Sequence, residues 1–474
     1  MRTLLWFKRD LRLADHEALA EAVAGTSWML PIHVVEPSLW GADDASAPFL
    51  AATARALREL RQELAARDRA VARWCLVRGV AWSQPAQDGV VRALADRDAW
   101  TSLRERRLRA PQVAAPAVLP PSPELDLAAL EAPPAALRTF LATAPEPENA
   151  TRHEALARLD DFLRGAGSAY RRSLSSPLSA AEGCSRLSTA LALGTVSVRE
   201  VVQAVRSRKA GLRDPVGEAA PRGMAAALSA FEARLHWRCH FIQKLESQPS
   251  METENLVRSF DGLREDSFDE ELFGRWAEGR TGYPMVDACM RQLSATGWIN
   301  FRMRAMLVSV ASFPLWLHWR RPGSHLARRF VDYEPGIHWP QVQMQAGTTG
   351  INTLRVYNPV KQARDHDPRG DYVRRWVPEL AGVPDSFLFE PSKMPLSLQD
   401  RAGCRLGRDY PTPPVDVVRA GLAARDRLLA RRATPAAREE AREVLLRHGS
   451  RKGGGSNRPR PRRPGSDDPQ LVLL

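Results

Sequence analysis

Cysteine is scarce in this chain of 474 residues: five in all, Cys75, Cys184, Cys239, Cys289 and Cys404, odd in number and widely scattered. None of them shows the paired spacing that zinc and iron–sulfur sites use, so free thiols and no metal centre are expected. Long apolar runs are missing too, and charged residues interrupt the opening MRTLLWFKRDLRL. Both facts argue against a membrane helix or a secretory leader, and a cytoplasmic location is expected. Negative charge is in deficit, with 55 Asp plus Glu against 68 Lys plus Arg, a formal +13. Such a balance either draws a polyanion such as DNA by counterion release or solubilises an Arg- and Ala-rich protein; charge alone leaves both open.

What is present suffices to bury at least two cores, because 44% of the residues are hydrophobic and single domains seldom exceed about 250 residues. TLLWF, then polar KRDLRLADHEAL, then SWMLPIHVV reads as strand, loop, helix, strand, the start of an α/β parallel sheet. Residues 49–76 carry Ala, Leu and Arg at helical spacing without a breaker. A Pro- and Ala-rich stretch from Ala110 to Glu148 has linker composition. Beyond Asn149 the apolar period is helical almost throughout, and the Gly-, Pro- and Arg-rich end is expected to be a disordered basic tail. The expected organisation is therefore an α/β Rossmann-like unit over 1–125, a linker over 126–150, an all-α domain over 151–445 and a tail over 446–474.

Seven of the thirteen tryptophans, Trp237, Trp276, Trp298, Trp316, Trp319, Trp339 and Trp376, fall inside the helical part. A single tryptophan is usually packing, but a concentration of indoles also lets electrons pass by short hops. The segment Cys184–Ser188, CSRLS, precedes an apolar helical run and combines hydroxyls, a cation and free backbone N–H groups. It is either an ordinary helix cap or a phosphate-binding turn.

Four segments in order, WFKRDLRLADHEAL, YRRSLSSPLSAAEGCSRLSTALALGTVSVREV, EGRTGYPMVDACMRQLSATGW and RVYNPVKQARDHDPRGDYVRRWVPEL, resemble the DNA photolyase and cryptochrome family. The resemblance implies an N-terminal antenna domain and a C-terminal helical domain that holds FAD. It places Tyr170 beside the FAD phosphates and Cys184, Ser185, Arg186, Leu187 and Ser188 in the phosphate-binding loop, Cys184 standing where a threonine is usual. Arg304 and Asp332 match an ion pair near the flavin ring, and Glu334 an acidic neighbour. Trp276 and Trp319 match the outer and middle members of a tryptophan relay. Gln343 and Gln345 occupy the positions where many members carry the inner tryptophan, and Trp339, one helical turn earlier, is the expected substitute.

The chain also departs from the family. Of the residues implied for a lesion pocket, Trp237 is present, Arg234 replaces a glutamate, and Phe301 and Ala305 replace polar residues; Arg355 is expected to contact a DNA phosphate. The antenna domain is short by about one βαβ unit of 30 residues, so no second chromophore is assigned. Two functions are expected in competition: light-driven repair of ultraviolet photoproducts in DNA, or a cryptochrome-type photoreceptor that acts through a signalling partner. A third reading is a flavin- and DNA-binding protein that has lost repair.

Overall fold

The protein is described from a computed structural model over residues 2–24, 26, 28–33, 46–65, 89–120, 148–212 and 221–449. Strands β1 (Arg2–Trp6) and β2 (Trp28–Ile32) pair in parallel, Arg2 opposite Trp28 and Trp6 opposite Ile32, joined through helix α1 (Glu17–Ala24). The expected strand, loop, helix, strand order is observed, and the sheet has two strands among the described residues. Helix α2 (Ala47–Ala65) covers the first part of the run expected to be helical; its continuation from residue 66 to 76 lies outside the described residues. The end of the expected N-terminal unit from residue 121, most of the expected linker, residues 126–147, and the tail from 450 onward also lie outside them.

The N-terminal unit does not own its core. Leu5, Phe7, Leu11, Leu13, Leu19 and Met29 pack with Ala52, Ala56 and Leu60 of α2, and also with Leu193, Trp298 and Val331 of the helical part. Two strands rarely hold together alone in water, and here the missing apolar partner comes from the second unit. A buried ion pair joins the same two parts. The Asp15 carboxylate accepts hydrogen bonds from Arg199 Nε at 2.9 Å, from the Val113 N–H at 3.1 Å and from the Ser197 hydroxyl. Burial would raise its pKa, but these bonds outweigh burial and hold it below the usual carboxylate range. Arg199 also donates to Glu17 at 3.0 Å.

After α3 (Trp100–Arg109) the regular elements among the described residues are helices, apart from an isolated bridge between Leu406 and Tyr410. Helices α4 (Arg152–Arg164) and α6 (Val198–Gly211) each start with a reciprocal capping box, Thr151 with Glu154 and Ser197 with Glu200. Between them lies the short α5 (Ser188–Leu193). The long α7 (Met224–Ser247) is followed by α8 (Glu270–Ala277), α9 (Pro284–Thr296), α10 (Phe301–Ser312), α11 (Arg320–Ala327), α12 (Pro335–Ala346) and α13 (Pro359–His366). Helices α14 (Val417–Arg432) and α15 (Pro435–His448) close the domain. Glycines set two close approaches. A Cβ on Gly336 would lie 2.8 Å from the Ile242 backbone of α7, and one on Gly323 would lie 2.7 Å from the Trp339 ring, so α12 sits directly on α7 and the Trp339 indole directly on α11.

Cys184, Cys239, Cys289 and Cys404 are free thiols. Among the described residues no helix is long and apolar enough to cross a membrane, and no group of His, Cys, Asp and Glu is placed to hold a metal.

Candidate functional site

Two of the expected site elements meet at one place. At the start of α10, Arg304 donates to both carboxylate oxygens of Asp332, at 3.0 and 2.8 Å, and its Nε donates to the Ile299 carbonyl at 2.9 Å. The guanidinium also lies over the Phe330 ring, 4.0 Å from its centroid. This bidentate fork fixes the cation with one face still reachable, since the Arg304 side chain keeps 24% of its exposure while Asp332 keeps 3%. Arg186, in the 184–188 loop, lies within electrostatic reach of both Arg304 and Asp332. Its backbone is left-handed (φ 55°), which turns the loop, and its side chain stacks on Trp298 at 3.8 Å and pairs with Glu148 at 2.7 Å. Ser185 and Leu187 are buried, whereas Ser188 is exposed at the first turn of α5. Burial pushes the Cys184 thiol up to about 11 despite nearby Arg186, Arg158 and Arg234, so it is un-ionised at neutral pH. Tyr170 is buried among Phe162 and Phe231, its phenol raised by burial and the Cys184 neighbour and lowered less strongly by a hydrogen bond from Arg234.

Glu334 lies two residues beyond Asp332 and has partners of its own. It caps α12 through the Gly336 N–H, and its carboxylate faces Arg9 of the N-terminal unit and Arg238 of α7, each at 3.7 Å.

The tryptophans divide into a connected pair and an outlier. The Trp319 and Trp339 ring centroids are 5.9 Å apart, nearly edge to face. From Trp339 the aromatic contact continues to His338 at 4.9 Å and from His338 to Phe330 at 6.0 Å, the ring under Arg304. The expected substitute thus has an unbroken path of rings to the ion pair. The Trp339 indole donates to the Tyr333 hydroxyl at 3.1 Å. Gln343 is turned elsewhere: its amide bonds the Met251 and Glu254 carbonyls and the Leu256 N–H. Trp276 shares the same core, but its ring neighbours are Phe273 and His325, and it is fully buried rather than at the surface.

The residues expected around a lesion also gather. Arg234 on α7 lies over the Phe301 ring at 5.9 Å. Arg302, Arg355 and Tyr357 share an electrostatic neighbourhood with Arg234, and with Asp365 at its edge. Burial, with Arg234 and Arg355 close by, lowers the Arg302 pKa despite Tyr357 and Asp365. Trp237, one turn along α7 from Arg234, is half-buried against His240 and Phe241. Ala305 is buried in the core and presents no polar group.

Sequence reasoning missed Arg302, Tyr357, Ser175 and Asn300. Only the position of Asn300 and Arg302 on either side of Phe301, in NFR, offered a signal. Ser175 Oγ, Asn300 Oδ1 and Arg302 Nε are buried and make no hydrogen bond among the described residues, and Asn300 donates to the Leu174 carbonyl, next to Ser175, at 3.1 Å. Each orphan of this kind costs roughly 1–3 kcal/mol, and Ser175 Oγ and Asn300 Oδ1, brought close by the Asn300–Leu174 bond, are left for a partner with hydroxyl or amide groups. A flavin dinucleotide has those groups, and the residues present fit it.

Comparison with known proteins agrees with this chemistry. Residues 3–103 match the family model described as DNA photolyase, and residues 231–430 match the FAD binding domain of DNA photolyase. The deoxyribodipyrimidine photo-lyase of Alkalihalophilus pseudofirmus is 31% identical over 55% of this chain and 52% of its own length. That of Streptomyces griseus is 39% identical over 51% and 48%, and the cryptochrome DASH of Gloeobacter violaceus 41% over 33% and 31%. The chain spans about half the length of the photo-lyases it matches. In fold it resembles a Synechocystis cryptochrome (TM-score 0.70, 22% identity, 90% of this chain and 99% of the other). A bacterial class III photolyase from Agrobacterium tumefaciens gives a TM-score of 0.67 at 24% identity, over 91% and 98%. The cofactor of the helical domain is FAD, and the chain belongs to the photolyase/cryptochrome family.

Proposed function

We propose that the protein repairs an ultraviolet photoproduct in DNA by light-driven electron donation. The observation that carries this reading is the gathering of Arg234, Arg302 and Arg355 beside Phe301. Three guanidinium groups held so close repel one another, and an anionic partner removes that cost. When bound, FAD supplies the absorption of light and the one-electron chemistry. The chain's own residues do the rest. Arg304, held by Asp332, keeps a positive charge next to Phe330 and favours an electron-rich ring there. Trp237 and Phe301 offer flat faces to an unstacked base, and Arg302 and Arg355 suit phosphate oxygens. Trp339 and Trp319 form the electron relay, with Trp339 in the inner place.

The test is dimer loss from ultraviolet-irradiated DNA incubated with the protein in blue light and in darkness. Loss in light alone is expected; tight binding without loss would sink repair and leave a DNA-binding flavoprotein. Arg234 favours a second reading, a photoreceptor, because a guanidinium cannot share a proton with a dimer as a carboxyl group can. Neither binding nor loss would support that photoreceptor and its signalling partner. The cofactor loop has its own test: Ser185→Glu with Arg186→Glu is expected to yield colourless protein, and full flavin retention would remove residues 184–188 from the phosphate site.

A further inference from the structure

Three buried indoles have three different hydrogen-bond partners. Trp276 Nε1 donates to the Leu307 backbone carbonyl at 3.2 Å, and Trp339 Nε1 to the Tyr333 hydroxyl. Trp319 Nε1 donates to Asn255 Oδ1 at 2.7 Å, the shortest of the three. Asn255 Nδ2 donates in turn to Asp261 Oδ1 at 2.8 Å. The orientation of this amide is fixed by chemistry: an indole N–H only donates and an ionised carboxylate only accepts, so oxygen must face Trp319 and nitrogen must face Asp261. Asn255 is 5% exposed, whereas the Asp261 side chain is 39% exposed and held by Arg258 at 2.7 Å. An amide whose N–H is bonded to a carboxylate has a more electron-rich oxygen, and the chain of bonds therefore brings negative charge toward the Trp319 N–H without a base in contact with it.

The surroundings of Trp319 and Trp276 differ in charge balance. His318, which stacks on Trp319 at 5.4 Å, has the carboxylates of Glu265 and Asp261 in reach, together with Arg264 and Arg320. His325, which packs on Trp276, has Arg329 and Arg328 in reach, and Arg321, paired with Glu270, lies over Phe273 at 4.8 Å. A positive charge on an indole is better accommodated at Trp319.

We propose that Asn255 and Asp261 are positioning residues for the relay: they make Trp319 the place where the electron vacancy rests, and they keep its proton on the indole. This rests on reading Trp339 and Trp319 as donors to FAD. The balance is simple. With FAD bound, its excited ring would supply the oxidant; Trp339 would give up one electron and regain one from Trp319, and Trp319 would be left as a one-electron-oxidised cation. No bond to hydrogen breaks, because among the described residues the acceptor of the N–H is an amide oxygen, a weak base, and the indole is buried.

The test is flash photolysis of the flavin-loaded full chain in H2O and D2O. The tryptophan signal is expected to keep the spectrum of the protonated cation until it decays, with no deuterium effect on the decay. Asp261→Asn is expected to shorten its lifetime about tenfold, the scale of one charge-assisted hydrogen bond, and Asp261→Glu to restore it to within about twofold. In flavin-free protein the Trp319 indole N–H is expected to exchange slowly with solvent by NMR and faster in Asp261→Asn, a reading that does not depend on photochemistry. A neutral, deprotonated tryptophan signal, or an unchanged lifetime in Asp261→Asn, overturns the proposal. No tryptophan signal at all in the wild type, with flavin bound, overturns the relay reading itself and the proposal with it.

Discussion

At Cys184 a thiol stands where the family resemblance calls for a hydroxyl, and its environment keeps it un-ionised. Burial raises it to about 11 although three arginines pull the other way. Cys184→Thr adds a strong donor at the loop and is expected to tighten FAD binding by about 1 kcal/mol, measured by flavin titration of the unloaded protein. The linkage sign follows from the raised value: the stabilising contribution of the buried thiol is complete below the unfolded pKa near 8.5 and disappears as pH rises toward 11. Alkylation of Cys184 should accordingly stay slow until the pH approaches that value. Asp332→Ala leaves the Arg304 guanidinium without its carboxylate and is expected to cost about 3 kcal/mol in urea unfolding, with flavin affinity falling in parallel. Unchanged stability would mean that water already serves Arg304. Such roles were legible where a motif carries them, as with Arg304 and Asp332. Asn255 was not legible, since its partner Trp319 lies 64 residues away and no spacing links them.

Among the elements, α11 and α12 show what a helix contributes beyond its side chains. Gly323 leaves just enough room for the Trp339 ring, so the distance from Trp339 to Trp319 depends on a residue with no side chain. Gly323→Ala is expected to cost about 1–3 kcal/mol by overpacking and to slow flavin photoreduction by shifting the indole. A variant that photoreduces at the wild-type rate would show that Trp339 is not the inner donor. Helical character beyond Asn149 was readable from the apolar period, whereas the caps at Thr151 with Glu154, Ser197 with Glu200, and Asn358 before Pro359 came from the structure. The first strands were readable from TLLWF and SWMLPIHVV. The face of α12 was not, because Pro340 and the three glutamines Gln341, Gln343 and Gln345 give no apolar period; only the packed structure turns Gln343 toward Met251 and Trp339 toward Trp319. The buried setting of Trp276 was equally hidden, since exposure of an indole is decided by elements distant in sequence.

For the whole molecule, two responses to solution conditions follow from charge. His240, His325, His448 and His366 are lowered to about 2, 3, 3 and 4, in each case first by burial and then by nearby cations. A histidine whose folded pKa is depressed takes up its proton only in the unfolded chain, so stability is full above about 6.5 and declines as pH falls from there toward 4. Each contributes at most about 1.4 kcal/mol per pH unit, and equal unfolding free energies at pH 7 and pH 5 would contradict the buried neutral state. The second response is to salt: Arg355→Ala is expected to weaken DNA binding and to reduce the salt slope by about 1, read from affinities at several salt concentrations. A change in affinity at constant slope would place Arg355 away from phosphate.

The Asp15–Arg199 pair reaches further than its own bonds. Arg199 is 2% exposed and pairs with Asp15 and Glu17, both from the opening stretch of chain. Cutting away that stretch would therefore not liberate an autonomous flavin carrier. It would take two carboxylates from a buried cation and strip Leu193, Trp298 and Val331 of their cover. In a calorimeter the described parts should melt together in one peak, and an isolated helical fragment should be found in the insoluble fraction.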